Sequence, residues 1–353
     1  MLTDLRLRDF RCFENLAVDL ARGTNFFLGL NGQGKTTILE AACVLLRLQS
    51  QRVSSLAPAI QVGKNSFGLR GIFDGHELEF RYGRLQRRVT FDRVEQRTFQ
   101  EYLRIARVVS FANSDIELVH GGSDARRRYL DFLGTQINVT YRPTLRAYER
   151  ALRARNALLK SLMPRTRERA AYDSMLLHHG AQLLRLRQEI AAILAPSATA
   201  AYARISGGHE TLELQFLPGA SEDFRRDLVH SREEEARLRQ TVVGPHRDDF
   251  ELRIDGMRAP QYASEGQQRS AALALKIAQA EAFHRFSDKT APLLLIDDIF
   301  GELDPERRNA LLDHLPLNSQ KLITATAMPW RSEITADAIY ELRDRQPVRE
   351  RRT

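Results

Sequence analysis

Two clusters of residues in this chain have the types and spacing that handle phosphate. The first, Gly29-Leu30-Asn31-Gly32-Gln33-Gly34-Lys35-Thr36, meets the pattern Gly-x-x-x-x-Gly-Lys-Thr in full. Its glycines let the backbone wrap an oxyanion and turn successive amides toward it, and a helix beginning behind it adds a favourable dipole. Lys35 then supplies a point charge to the β- and γ-phosphates of ATP, the Thr36 hydroxyl can bind Mg²⁺, and Thr37 completes the nucleotide-binding run. By chance the bare pattern arises in about one chain per hundred of this length. The second cluster is Leu293-Leu294-Leu295-Ile296-Asp297-Asp298. A continuous apolar run suits a central strand covered on both faces, and carboxylates at its end sit at the sheet mouth, where α/β folds bind ligands. Asp297 becomes the second Mg²⁺ partner, and Asp298 orients or deprotonates the attacking water.

Between them lies Ala263-Ser264-Glu265-Gly266-Gln267-Gln268-Arg269, just ahead of the helix-forming run Ser270 to Lys276. By itself this is either an ordinary cap with Ser264 at the helix start, or a second anion-binding amide cluster using Ser264, Gly266 and Gln267. After the carboxylates comes Gly301-Glu302-Leu303-Asp304. Phosphate loop, Ser-x-Gly-Gln turn, Asp-ended strand and Gly-Glu-Leu-Asp stand in the order of ABC-type ATPase heads.

The surrounding pattern supplies elements to hold these groups. Leu5 to Arg8 alternates as a half-buried strand, Asn25 to Leu28 runs as a strand into the glycine loop, and Ile38 to Leu45 follows as a helix. Phe67 to Leu69 and Leu78 to Tyr82 alternate across an Asp74-Gly75 turn, and Val89 and Phe91 continue an appended antiparallel sheet. From Arg142 to Ala195 the period is helical, interrupted by Pro143, Pro164 and Pro196, with Pro164 at the tip between two helices. Glu233-Glu234-Glu235 marks another exposed helix, and strands return at Leu212 to Phe216 and Phe250 to Ile254. The expected class is α/β: an ABC-type P-loop ATPase head, a mixed sheet with an antiparallel β subdomain, and an inserted helical lobe. Residues 1–135 and 236–353 form the two halves of the head, and 136–235 the lobe.

The chain has 353 residues, 43% hydrophobic, enough for a large core. No apolar run approaches the roughly 20 residues of a membrane-spanning helix, and the charges at Asp4, Arg6 and Arg8 do not suit a signal peptide. Cys12 and Cys43 are too few for a disulfide framework, which favours a reducing cytoplasm. The net charge of +8, carried largely by arginine, permits nucleic acid or an anionic surface as partner without requiring either. Arg126-Arg127-Arg128 are either phosphate contacts or a solvated helix face. Arg343, Arg345, Arg349, Arg351 and Arg352 form a mobile tail.

With these motifs the chain resembles the RecF family of bacterial DNA replication and repair proteins, relatives of SMC and Rad50 heads. The resemblance covers nearly the whole length. It rests on Leu28 to Thr36, Leu118 to Asp131, Gly244-Pro245-His246-Arg247-Asp248-Asp249, Ser264 to Arg269, Leu294 to Asp298 and Gly301 to Asp304. The Gly-Pro-His-Arg-Asp-Asp stretch and the Gly-Gln-Gln-Arg turn are its most specific parts. It implies an ATP-dependent homodimer closed head to tail over two ATPs, with Ser264 and the Gly266 and Gln267 amides completing the partner copy's site. It also implies binding of single- and double-stranded DNA at gaps or junctions, a part in RecA loading with RecR and RecO, the SOS response, and a slow, DNA-stimulated ATPase that is cytoplasmic and nucleoid-associated. Three departures stand out. Glu265 replaces the family's usual Gln, Asn113-Ser114-Asp115 replaces Pro-Glu-Asp, and Ile323-Thr324-Ala325-Thr326 lacks the histidine of transporters, leaving Thr324 or Thr326 as the switch residue. A transporter ATPase subunit and a long-armed chromosome-organising ATPase are the alternatives; the inserted lobe opposes the first, and its shortness the second.

Overall fold

The computed structural model describes residues 1–53, 55–161, 166–286, 291–301, 303, 305–316, 318–327 and 335–349. Packing groups the chain into two compact units, residues 1–114 with 283–353, and residues 115–282.

The first unit contains two six-stranded sheets. One is ordered Gln346–Arg349, Ala338–Arg343, Thr24–Leu28, Lys321–Ala325, Leu293–Asp297, Val108–Ala112. Neighbours pair parallel except for the terminal hairpin, in which Gln346–Arg349 runs antiparallel. Its central strands are continuously apolar: Phe26, Phe27, Leu294, Ile296, Leu322 and Ile323 are shut away from solvent. The other sheet is antiparallel, from Phe13–Asp19 through Leu2–Phe10, Ser66–Phe73, His76–Gly83 and Arg87–Phe91 to Val94–Glu95. There burial alternates, and on the inner face Phe10 and Phe80 meet Phe67 edge-on while Tyr82 stacks on it. The Asp74-Gly75 turn has φ of 49° and 86°, the two left-handed residues a two-residue hairpin requires.

The helix Lys35–Arg47 packs against strands of both sheets. Lys35 and all residues from Thr37 to Arg47 are buried, so it is enclosed on every side. Its polar members have partners. The Arg47 guanidinium donates to the carbonyls of Leu103 (2.6 Å) and Ala106 (2.9 Å), and Glu40 accepts two bonds from Arg11. Gln320 binds the first strand through its backbone, accepting from Leu2 N and donating to Leu2 O and Ala21 O.

The second unit holds the helices Ser123–Ile137, Tyr141–Lys160, Thr166–Ile205, Phe224–His230 and Arg232–Leu238 and a three-stranded sheet of Met257–Arg258, Asp249–Ile254 and Leu212–Leu217. Its interior is tied by buried arginines. Arg187 donates to Asp131 (2.8 Å), Asp248 (2.8 Å) and the Pro245 carbonyl, while Arg155 bridges Asp173, Glu235 and Thr241.

Several sequence expectations change. Pro196 does not interrupt its helix, which runs through it to Ile205. Leu194, Ala198, Ala201 and Tyr202 around it are buried, and packing of that order offsets the roughly 3 kcal/mol a helix-interior proline costs. Pro143 sits in the first turn of Tyr141–Lys160, where it is tolerated. Glu235 is not on an exposed face; it turns inward to Arg155. The tail arginines are ordered as far as Arg349, because Ala338–Arg343 and Gln346–Arg349 extend the parallel sheet as a hairpin; Arg351 and Arg352 lie outside the described residues. The tip at Pro164 lies outside them too, as do Glu302 and Asp304.

Candidate nucleotide site

The glycine loop connects the end of Thr24–Leu28 to the start of Lys35–Arg47. Gly29, Gly32 and Gly34 all have positive φ, at 148°, 82° and 95°. A side chain is also excluded sterically at Gly34, where a Cβ would lie 2.5 Å from the Phe13 ring, and crowded at Gly29, where it would lie 3.0 Å from the Leu342 carbonyl. Leu30, Asn31 and Gly32 are exposed at the crest, while Gln33 is anchored below, accepting from Arg345 N (3.1 Å). The Lys35 ammonium turns into the loop, donating to the carbonyls of Gly29 and Leu30 (3.1 Å) and reaching Asn31 Oδ1 (3.5 Å). Burial lowers its pKa, and the carboxylates of Asp298 and Asp297 oppose that shift and favour the charged form.

Strand order brings the carboxylates to this loop. Only Lys321–Ala325 separates the loop's strand from Leu293–Asp297, and all three run parallel, so their C-terminal ends share one edge. Asp297 Oδ1 accepts from the Thr36 hydroxyl (2.8 Å) and from the Thr324 hydroxyl (2.8 Å). Two hard oxygens from Thr36 and Asp297 at hydrogen-bond distance fit Mg²⁺, which takes one or two protein oxygens and completes its shell with phosphate and water. Asp298 adopts a left-handed φ of 52°, a conformation aspartate tolerates. Three bonds hold it there. Its N–H donates to Thr324 Oγ1 (3.0 Å) and Thr324 O (3.2 Å), and its carbonyl accepts from Asn113 Nδ2 (3.3 Å).

Of the two threonines left open by sequence, Thr324 is buried and bonded to Asp297, whereas Thr326 is exposed. In the sequence Asn113 and Arg345 stand out only as a departure from the family pattern and as a tail cation; nothing in their spacing marks the bonds they make to Asp298 and Gln33. The Thr324 register opposite Asp297 becomes visible only once the strands are paired.

Ser264, Gly266 and Gln267 lie in the second unit, at the start of the helix Glu265–Phe286. There the cap is reciprocal: Gln267 N–H donates to Ser264 Oγ (3.2 Å) and Ser264 N–H to Gln267 Oε1 (2.7 Å). Glu265 pairs with Arg269 one turn on (2.8 Å) and is exposed. Neither reading of the arginine run suits Arg126 and Arg127. Arg126 forks onto Asp249 (2.5 and 3.0 Å), and Arg127 binds the Asp248 carbonyl (2.7 Å) and Asp124.

A glycine loop between strand and helix, a carboxylate pair on a nearby parallel strand and an appended antiparallel sheet define a P-loop ATPase head of the ABC type. A family model described as an AAA domain matches residues 4–144. The chain is 36% identical to the DNA replication and repair protein RecF of Symbiobacterium thermophilum over 342 residues, covering 92% of this chain and 91% of the relative. It is 34% identical to the protein of that name from Rippkaea orientalis over 358 residues, covering 92% and 93%. A solved structure of the recombination mediator protein RecF with ATP in the RecFOR pathway superposes with a TM-score of 0.90 at 28% identity, covering 99% of this chain and 97% of the other. An Smc head bound to the C-terminal winged-helix domain of ScpA has a TM-score of 0.55 at 15% identity and shares the fold alone. The chain belongs to the RecF family.

Proposed function

We propose that this protein is an ATP-switched DNA-binding protein of replication and recombinational repair. The observation that carries the reading is the convergence of Lys35, Thr36, Asp297 and Asp298 at one sheet edge in a chain of the RecF family. Lys35 and the amides of residues 29–37 hold the ATP phosphates, Thr36 and Asp297 hold Mg²⁺, and Asp298 receives the proton of the attacking water. Two copies close head to tail, each presenting Ser264 and the Gly266 and Gln267 amides to the γ-phosphate on the other. Loss of that phosphate removes the shared contacts and opens the pair, so slow hydrolysis acts as release.

DNA enters through the relatives, which are DNA replication and repair proteins by name. RecR and RecO as partners, RecA loading, the SOS response and a cytoplasmic, nucleoid-associated location belong to the same reading. Among the described residues no helix is long and apolar enough to cross a membrane. The test is a competition assay with gapped, duplex and single-stranded DNA in ATP and in ADP. The reading expects tight, steeply salt-dependent binding in ATP, strongest for gaps or junctions, and weak binding in ADP. Equal affinity in both nucleotides overturns it.

A further inference from the structure

Glu210 has no place in the motifs, yet it reaches the Ser264 turn. The helix Thr166–Ile205 is followed by a turn containing Gly207 and Gly208, both left-handed with φ of 70° and 79°, and Thr211 is clamped by Asp255 through reciprocal bonds. Between these fixed points Glu210 is presented with both oxygens engaged. Oε2 accepts from the hydroxyl of the buried Tyr202 (2.6 Å), and Oε1 accepts from Gln267 Nε2 (2.6 Å).

A carboxylate can only accept, so it selects one of the two orientations of the Gln267 amide. With Nε2 turned to Glu210, Oε1 faces Ser264 N–H, which is the bond observed. The other half of the cap makes Ser264 Oγ an acceptor from Gln267 N–H, and the exposed hydroxyl keeps its hydrogen for an outside acceptor. In the reverse orientation an NH₂ would face an N–H, and the cap would break.

We infer that Glu210 is a positioning residue for the Ser264 turn: through Gln267 it sets the turn in the form that donates to the γ-phosphate on a second copy of this chain. The inference rests on the ATP-driven dimer proposed above. It assigns to the 206–211 turn a part in closure that does not pass through the bound nucleotide's own loop.

The test compares wild type, Glu210→Ala and Glu210→Gln by sedimentation with Mg²⁺ and ATP, with ATP affinity of the dilute monomer measured alongside. Glu210→Ala should weaken ATP-dependent dimerisation roughly 10-fold, as expected for losing a charge-assisted hydrogen bond, and leave monomer ATP affinity unchanged. Glu210→Gln, whose amide oxygen can still accept from Gln267, should restore most of the loss. Normal dimerisation of Glu210→Ala, equal weakness of both variants, or loss of monomer ATP binding in Glu210→Ala overturns this inference alone. A wild type that stays monomeric in ATP overturns the dimer reading, and this inference with it.

Discussion

The glycine loop and the Gly244-Pro245-His246-Arg247-Asp248-Asp249 segment both mark the family, yet they are built in opposite ways. The loop is open, with Leu30, Asn31 and Gly32 exposed and a lysine whose hydrogens can be redirected to an incoming anion. The second segment is largely closed: His246, Asp248, Asp249 and the Pro245 carbonyl are bound to other parts of its unit, and only the Arg247 side chain faces solvent within it. Gly244, at φ 124°, has no room for a side chain beside Phe224 and Tyr148; the Pro245 carbonyl and Asp248 take Arg187; Asp249 takes Arg126. His246 donates from Nε2 to the Thr241 carbonyl (2.9 Å) and pairs through Nδ1 with the Tyr148 hydroxyl (2.7 Å); burial favours the neutral ring, in which Nδ1 is the acceptor. His246, Asp248 and Asp249 therefore serve the fold here, whereas the glycine loop keeps its polar groups available to a ligand.

That contrast can be broken from either side. The largest effect is expected inside the closed segment. Arg187→Met leaves Asp248, fully buried, without its cation and should destabilise the protein by about 3–5 kcal/mol in urea unfolding. Lys35→Ala should do the reverse, lowering ATP affinity by about 100-fold in a fluorescent-nucleotide titration while the unfolding midpoint stays in place. A Lys35→Ala protein that unfolds early would blur the distinction. Thr324→Val removes the hydroxyl that holds Asp297 and the Asp298 amide, and should slow single-turnover hydrolysis about 10-fold, with Thr324→Ser restoring it. The most gradual effect is a pH slope. Burial pushes the His246 pKa down to about 4, below the ordinary value of 6.5. The stability tied to its neutral form is therefore complete above pH 6.5 and lost as pH falls toward 4, by at most about 1.4 kcal/mol per pH unit. His246→Gln should remove that increment relative to wild type.

Much of the head was legible because its signals are local. Gly29 to Thr36 forms between strand and helix, Asp74-Gly75 makes its turn, and Leu293 to Asp297 is a buried parallel strand. What escaped depends on pairing between distant segments. Arg126 is ordinary until Asp249 is placed opposite it, and Glu235 reads as one of three solvated glutamates until Arg155 reaches it. Pro196 misled because its penalty is local, whereas the packing that outweighs it comes from other elements. Thr324 and Thr326 were alike until register set the first against Asp297.

The central claim, that ATP at the Lys35 loop joins two copies of the chain, is tested most directly by sedimentation velocity. Wild type and Asp298→Asn should be monomeric without nucleotide, and both should become dimers with Mg²⁺ and ATP. Wild type should return to monomer as ATP is consumed, while Asp298→Asn stays dimeric. A monomer that ignores ATP, or an Asp298→Asn dimer that opens as quickly as wild type, would contradict the account.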